Sequence, residues 1–306
     1  MNLRDFVSND QELMQVMDGK DRSAARCPKI LEIQWDSQDD SFQASCSITE
    51  NSYVSKRTVA RAVVSIYDPL RWLIPLTHNA KRFLQPLWKE GYDWVSMLSE
   101  IHKEEWYRII TDITGSEKTI PRVVGVSSGN HLVATFADAS SESMAACIYL
   151  CNSQSSQLLM ARERLPSLRQ AMRVPKMELN AVTMAFRLTE AVIRELRSMI
   201  RIERIYVFSD SEIVLKWLKN QTADRSVMVT NRLNEIRRIV EHLKSLKPDV
   251  YFNDVNSAQN PADCATRGLK KGEIWCSPMV EWTFVLKRAR VQLDEKRREV
   301  PVGVNK

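Results

Sequence analysis

Three observations in this sequence predict a mixed α/β protein. Strand candidates follow one another at residues 132–137, 145–151 and 157–161. After them come a long helix pattern, a compact apolar strand, two helices, a short strand and a short helix, an order that sets helices against a sheet. The 306 residues are 44% hydrophobic and 27% charged with a net charge of +6, which supports a packed core and argues against wholesale disorder.

In chain order, residues 30–48 read as a hairpin: Ile30–Trp35 is one strand, Asp36–Asp40 a polar turn and Ser41–Cys46 an alternating second strand. From 55 to about 113 the apolar spacing changes to three and four, through Val59, Val63, Ile66, Ala80, Phe83, Leu84 and Leu87, the pattern of helices. Pro69 and Pro75 break that region into pieces. Gly115, Pro121, Gly125 and Gly129, set among serines, mark a linker. Pro175 opens a helix that runs to about Met199. Ile205–Phe208 is a strand, Ser211–Leu218 and Val227–Leu243 are helices, and Val250–Phe252 is a short strand. Pro261–Arg267 is a short helix stopped by Gly268. The last thirty residues are basic and amphipathic around Trp282–Val291.

Composition narrows the function classes. No run approaches the roughly 18 apolar residues of a membrane span, and Met1–Gln15 lacks the features of a secretory signal. The expectation is an intracellular protein, cytoplasmic or nuclear, with no membrane partner. The six cysteines are scattered, and the one close pair, Cys147 and Cys151, has no histidine beside it. With only four histidines in the chain, neither a zinc cluster nor a His-based hydrolase fits. Net charge is −3 over 1–58, 0 over 59–118, +7 over 119–272 and +2 over 273–306, so a polyanionic partner would favour the third segment.

Four acids stand in structurally awkward places. Asp138 continues the apolar stripe Leu132, Ala134, Phe136, although it also reads as a turn aspartate. Glu178 heads the inward stripe Val182, Ala185, Thr189, Leu196 of the long helix, where the helix dipole alone would also favour an acid. Asp210 follows a strand and reads as a helix cap, with Ser209 and Ser211 as rivals. Asp263 lies at the third position of the helix start Asn260-Pro261-Ala262-Asp263. Each has a structural explanation. If the strands that begin at 132 and 205 are neighbours, their ends and two helix starts meet at one rim, where four carboxylates repel unless cations sit between them. Oxygen ligands of this kind suit Mg²⁺ or Mn²⁺, and two such ions support phosphodiester cleavage. The expectation is that the four gather in one metal-sized cluster.

These residues carry a family resemblance. Thr135-Phe136-Ala137-Asp138-Ala139-Ser140, Pro175-Lys176-Met177-Glu178-Leu179, Phe208-Ser209-Asp210-Ser211 and Asn260-Pro261-Ala262-Asp263-Cys264-Ala265-Thr266-Arg267-Gly268 resemble the ribonuclease H region of BEL/Pao-type retrotransposon polyproteins, a family often labelled a Pao retrotransposon peptidase. Upstream, Tyr67-Asp68-Pro69-Leu70, Leu73-Ile74-Pro75 and Leu87-Trp88-Lys89-Glu90-Gly91-Tyr92-Asp93-Trp94 look like the segment these polyproteins place between polymerase and nuclease, and Leu31-Glu32-Ile33-Gln34-Trp35-Asp36 like the end of a reverse transcriptase palm.

The resemblance implies a ribonuclease H-like mixed five-stranded sheet with flanking helices over 131–272, its first three strands antiparallel. It implies a truncated palm remnant at 1–58, a helical thumb or connection at 59–118, a linker at 119–130 and a basic tail at 273–306. Asp138, Glu178, Asp210 and Asp263 match the family's metal-binding carboxylates. The implied reaction is cleavage of the RNA strand of an RNA–DNA hybrid with two Mg²⁺ or Mn²⁺ ions, leaving a 3′-hydroxyl and a 5′-phosphate. Arg162, Arg164, Arg169 and Arg173, just before the long helix, are the candidate phosphate contacts, with a solvated loop as the plain alternative.

Two departures bear on this. Asp254 stands where the family usually has a histidine, nine residues before the last aspartate, and so bears on turnover rather than on the metal ligands. Arg71 stands where the family has glycine after Asp-Pro-Leu. The paired aspartates of a polymerase are missing, so no DNA synthesis is expected. A non-catalytic nucleic-acid-binding remnant is the alternative. An aspartic peptidase fits poorly, because Asp138-Ala139-Ser140 and Asp210-Ser211-Glu212 lack the glycine its paired loops need for their tight turn.

Overall fold

The computed structural model describes residues 5–273, apart from 24, 26, 126–128, 153–154, 170–171 and 220–225. The expected amphipathic stretch at 282–291 therefore lies outside the described residues, as does nearly all of the expected basic tail. A short helix, α1 (Gln11–Val16), precedes a four-stranded antiparallel sheet of β1 (Lys29–Ile30), β2 (Ile33–Asp36), β3 (Ser41–Cys46) and β4 (Ser116–Pro121), in that order. The strand expected over Ile30–Trp35 is cut in two. Leu31 and Glu32 adopt φ of 49° and 65°, and Ile30 turns back to pair with Ile33. Two successive left-handed residues make a reversal that matches strand twist, and neither side chain signals it. β4 is a second difference. It pairs along the whole of β3, from Ser41↔Pro121 to Cys46↔Ser116, so the linker expected from 119 begins inside a strand.

Three helices join β3 to β4: α2 (Lys56–Ser65), α3 (Ile74–Lys89) and α4 (Glu100–Ile113). Ser55 and Thr58 close a capping box on α2, and Pro75 sits in the first turn of α3, where its missing N–H costs no hydrogen bond. Between α2 and α3, the buried Asp68 accepts the backbone N–H groups of Trp72 and Leu73, both at 2.8 Å. The turn places Arg71 at φ 61°, in the left-handed region. That is the position at which the resembled family carries glycine, the residue that adopts this conformation without a Cβ clash.

The second sheet has five strands in the order β7-β6-β5-β8-β9: β5 (His131–Ala139), β6 (Met144–Cys151), β7 (Ser156–Arg164), β8 (Ile202–Ser209) and β9 (Asp249–Asp254). β5, β6 and β7 are antiparallel, while β8 runs parallel to β5 and β9 parallel to β8. This is the expected mixed five-stranded sheet. Its helices are α5 (Val174–Leu196), α6 (Glu212–Lys219), α7 (Val227–Ser245) and α8 (Pro261–Arg267).

Alternation along β5 divides the two faces. Val133 and Ala137 join Ile148, Ile205 and Val207 against Val182, Ala185 and Phe186 of α5 and Leu233 and Ile236 of α7. Thr135 on the same face meets Thr189 of α5, hydroxyl to hydroxyl at 2.7 Å. The other face, with Ala134, Phe136, Cys147, Tyr149, Cys151 and Phe208, is continuous with Trp72, Leu76, Ala80 and Phe83 and with Ala262 and Ala265 of α8. Phe136 stacks on Phe208 at 4.8 Å. Cys147 and Cys151 are buried on that face.

The helical segment is therefore built onto the five-stranded sheet. The Trp72 indole N–H donates to the Leu159 carbonyl at 3.0 Å, and the Ala161 N–H donates to the Leu70 carbonyl at 3.0 Å. Beneath them, Glu163 of β7 takes His78 Nδ1 at 2.5 Å and Lys81 Nζ at 2.8 Å, both from α3. Burial alone would raise the Glu163 carboxyl, but the His78 and Lys81 contacts outweigh it and hold the group below its usual range.

Candidate active site

The four acids stand at one rim of the five-stranded sheet, and the turn or cap near three of them is made by a neighbouring residue. Asp138 lies inside β5, one residue before its end, and is 7% exposed. The following turn is held by Ser140, whose Oγ accepts the N–H groups of Glu142 and Ser143, so Asp138 is not the turn residue. Asp210 follows β8, but the cap on α6 is Ser211, whose Oγ accepts the Val214 N–H at 3.3 Å. Among the described residues, no hydrogen bond or ion pair engages Asp210. At α8 the cap is Asn260, whose side chain accepts the Ala262 N–H at 3.1 Å and donates to the Ala137 carbonyl at 3.0 Å. That second bond ties the start of α8 to the strand carrying Asp138. Glu178, one turn into α5, accepts the Ser211 hydroxyl at 2.5 Å, which ties it to the residue after Asp210.

Electrostatics link three of them. Burial first, and then the charges of Asp210 and Asp263, push Asp138 up to about 6, against the opposing pull of the Thr266 hydrogen bond and of Arg267. Thr266, buried on α8, donates its hydroxyl to Asp138, and its carbonyl accepts the Ser140 and Ser143 hydroxyls. Arg267 pairs with Asp263 at 2.7 Å, and the charges of Asp263, Asp138 and Asp210 raise the Arg267 guanidinium.

The donor chemistry fits a divalent cation: all four groups are hard oxygen ligands, and a cation would relieve the crowding around Asp138. The side chains do not close as expected, however. Among the described residues, no three His, Cys, Asp or Glu side chains form a group that could hold a metal ion. Three of the acids are instead engaged by protein groups, Asp138 by Thr266, Glu178 by Ser211 and Asp263 by Arg267. Sequence reasoning missed Thr266 and Arg267 as site residues, although both stand in the Ala-Thr-Arg-Gly run that carried the resemblance, and it read Ser211 only as a rival cap.

The other expected residues are more dispersed. Asp254 ends β9 and is exposed, in register with Ser209 of β8. Arg162 and Arg164 are exposed on the edge strand β7, flanking Glu163, which turns to α3. Arg169 lies in the exposed connection to α5, and Arg173 precedes that helix without capping it. Among the described residues, no helix is long and apolar enough to cross a membrane.

The family profile described as Pao retrotransposon-like RNaseH-like domain matches residues 55–211. The chain belongs to this family. The Pao retrotransposon-like match starts at the cap of α2 and ends at Ser211, so it joins the helical segment to the five-stranded sheet and includes Asp138, Glu178 and Asp210 but not Asp263. Among solved structures, the chain is similar to LC11-RNase H1 in complex with RNA/DNA hybrid (13% identity, 44% of this chain and 91% of that chain, TM-score 0.32). It is similar to RNase H1 from Halobacterium salinarum (12% identity, 44% and 91%, TM-score 0.32). It is also similar to the foamy viral protease-reverse transcriptase dRH in complex with ds DNA (9% identity, 77% of this chain, TM-score 0.44), of whose length it covers 39%. No curated protein matches the chain. The family assignment rests on the profile match and not on these distant likenesses.

Proposed function

We propose that this chain is the ribonuclease H of a retroelement polyprotein, a metal-dependent endonuclease acting on the RNA strand of RNA–DNA hybrids. One observation carries the reading. Asp138 is a buried carboxyl that serves no turn or cap, and Asp210 and Asp263 raise it from neighbouring elements. A fold does not crowd like charges onto a buried strand end for stability. In this reading Asp138, Glu178, Asp210 and Asp263 hold two Mg²⁺ or Mn²⁺ ions. When bound, such ions supply water activation and stabilisation of the leaving oxygen. The chain's own part is to aim the carboxylates. Thr266 fixes Asp138 from α8, Ser211 fixes Glu178 from the start of α6, and Arg267 balances Asp263 until it is engaged. Selectivity for RNA then comes from contacts to 2′-hydroxyl groups.

The test is cleavage of a labelled RNA–DNA hybrid in Mg²⁺ or Mn²⁺, with Asp138→Asn as the control. Cleavage by the parent and none by the variant is the expected result, and no cleavage by the parent removes the reading. One observation favours a second reading, a nucleic-acid-binding module without catalysis: three of the four acids are already engaged by protein groups, with Asp254 in the histidine position. Hybrid binding with no cleavage at any metal concentration selects it.

A further inference from the structure

A groove of about 200 Å³ opens between the edge strand β7 and helix α5, and its lining includes Arg162 and Arg164 of β7, Asn180 and Arg187 of α5, and Arg232 of α7. Four guanidinium groups thus converge from three elements. Two are already set in place. Glu235 of α7 accepts Arg187 Nε at 2.6 Å and Arg232 Nη1 at 2.9 Å, and Asn180 Oδ1 accepts Arg232 Nε at 2.9 Å. The two arginines hold the Glu235 carboxyl below its usual range. The other two, Arg162 and Arg164, are exposed, and their side chains make no hydrogen bond or ion pair among the described residues. Glu163 also borders the groove, but its carboxylate is taken by His78 and Lys81. Among the described residues, Glu235 pairs with two of the four guanidinium groups and leaves the other two without a carboxylate partner.

We infer that this groove binds the phosphate backbone of a nucleic-acid strand, as a subsite separate from the acid rim. Guanidinium groups offer paired N–H donors matched to phosphate oxygens, and they stay charged at any working pH. Preset arms at Arg187 and Arg232 reduce the ordering needed on binding, while Arg162 and Arg164 have donors to spare. Position supports the same occupant. Asp138 of β5 and Glu163 of β7 both pair with Ala145 of β6, so Arg162 and Arg164, which flank Glu163, lie two strand spacings, about 10 Å, from the strand end that carries Asp138. The groove also redraws the expected arginine set: Arg162 and Arg164 belong to it, Arg187 and Arg232 join them, and Arg169 and Arg173 do not line it.

The inference rests on the proposed function for its choice of hybrid, but its test needs no catalysis. Binding of a fluorescently labelled RNA–DNA hybrid to the full chain is measured by anisotropy in EDTA across a KCl series. Each phosphate contact contributes roughly one unit to the slope of log affinity against log salt. The Arg162→Ala/Arg164→Ala variant is expected to lower that slope by about two units. The Arg194→Ala/Arg197→Ala variant, which removes the same charge elsewhere on the chain, is expected to leave the slope within about half a unit. Unfolding by circular dichroism confirms that each variant is folded. An unchanged slope in the groove variant, an equal fall in the control, or no hybrid binding by the parent overturns the inference. A parent that cleaves in Mg²⁺ while the groove variant keeps its slope removes the groove alone. A parent that binds with the expected slopes but never cleaves removes the nuclease reading and leaves the groove standing.

Discussion

The two faces of the five-stranded sheet are closed by different parts of the chain. One face packs on α5 and α7, which follow its antiparallel strands in sequence. The other packs on α8 and on α3, which comes from before the sheet. Charge separates them as well. The α5 face is bordered by the arginine groove, whereas the α3 face hides the His78–Glu163–Lys81 cluster and presents Asp138 at its rim. The difference teaches that the upstream helices are part of the nuclease-like core. The family profile, which begins at residue 55 and not at the first strand of the five-stranded sheet, takes in the same upstream helices.

The largest expected effect breaks the comparison outright. A chain cut to residues 131–273 exposes Phe136, Tyr149 and Phe208 on the α3 face. It is expected to lose cooperative thermal unfolding and to aggregate. A sharp, reversible transition in that fragment would show that the α3 face needs no cover.

Next in size is Glu163→Gln. Removing one member of a buried ion cluster leaves His78 and Lys81 uncompensated, and the expected loss is about 3–5 kcal/mol in urea unfolding. The sign with pH follows from the lowered Glu163 carboxyl. Its contribution is present above the ordinary glutamate range and is lost as pH falls through the depressed folded value, so the parent and the variant converge in acid.

Asp138→Asn is expected to act in the opposite direction. With the carboxyl raised to about 6, the folded protein holds a proton that the unfolded chain releases. Stability from this group is full below the ordinary aspartate range and is lost as pH rises through about 6. In metal-free buffer at pH 8 the variant is therefore expected to be more stable, on the order of 2–3 kcal/mol, with no cleavage of hybrid. Equal Tm values for parent and variant at pH 8 would show that Asp138 is not crowded.

The smallest effect sharpens the account of the α2–α3 turn. Arg71→Gly relieves a left-handed residue beside Leu70, whose carbonyl holds β7, and is expected to raise stability by about 0.5–1 kcal/mol. A lower Tm would mean that the arginine side chain contributes more than its backbone strain costs.

Local signals in the sequence were enough for most elements. The alternation of β5, the 3.6-residue stripe of α5 and the Asn-Pro start and Gly stop of α8 all reflect interactions within a few residues. The same signals placed the four acids at strand ends and helix starts, and the pairing of β8 beside β5 brings those ends to one rim. Two local features escaped. Leu31 and Glu32 take left-handed angles without glycine or asparagine, and β4 carries the serine, glycine and proline neighbours of a loop. β4 exists because β3 lies beside it, 70 residues away in sequence, and no short window contains that pairing.

Tertiary structure alone decided three things. It decided which of Ser209, Asp210 and Ser211 caps α6, because the choice turns on where the hydroxyl of Ser211 points. It decided that Arg162 and Arg164 meet Arg187 and Arg232, since residues up to 70 positions apart share a surface only after α5 and α7 have packed. And it decided what covers the second face of the sheet. Periodicity reports that a face is apolar, and only the docking of α3 and α8 shows what that face is buried against.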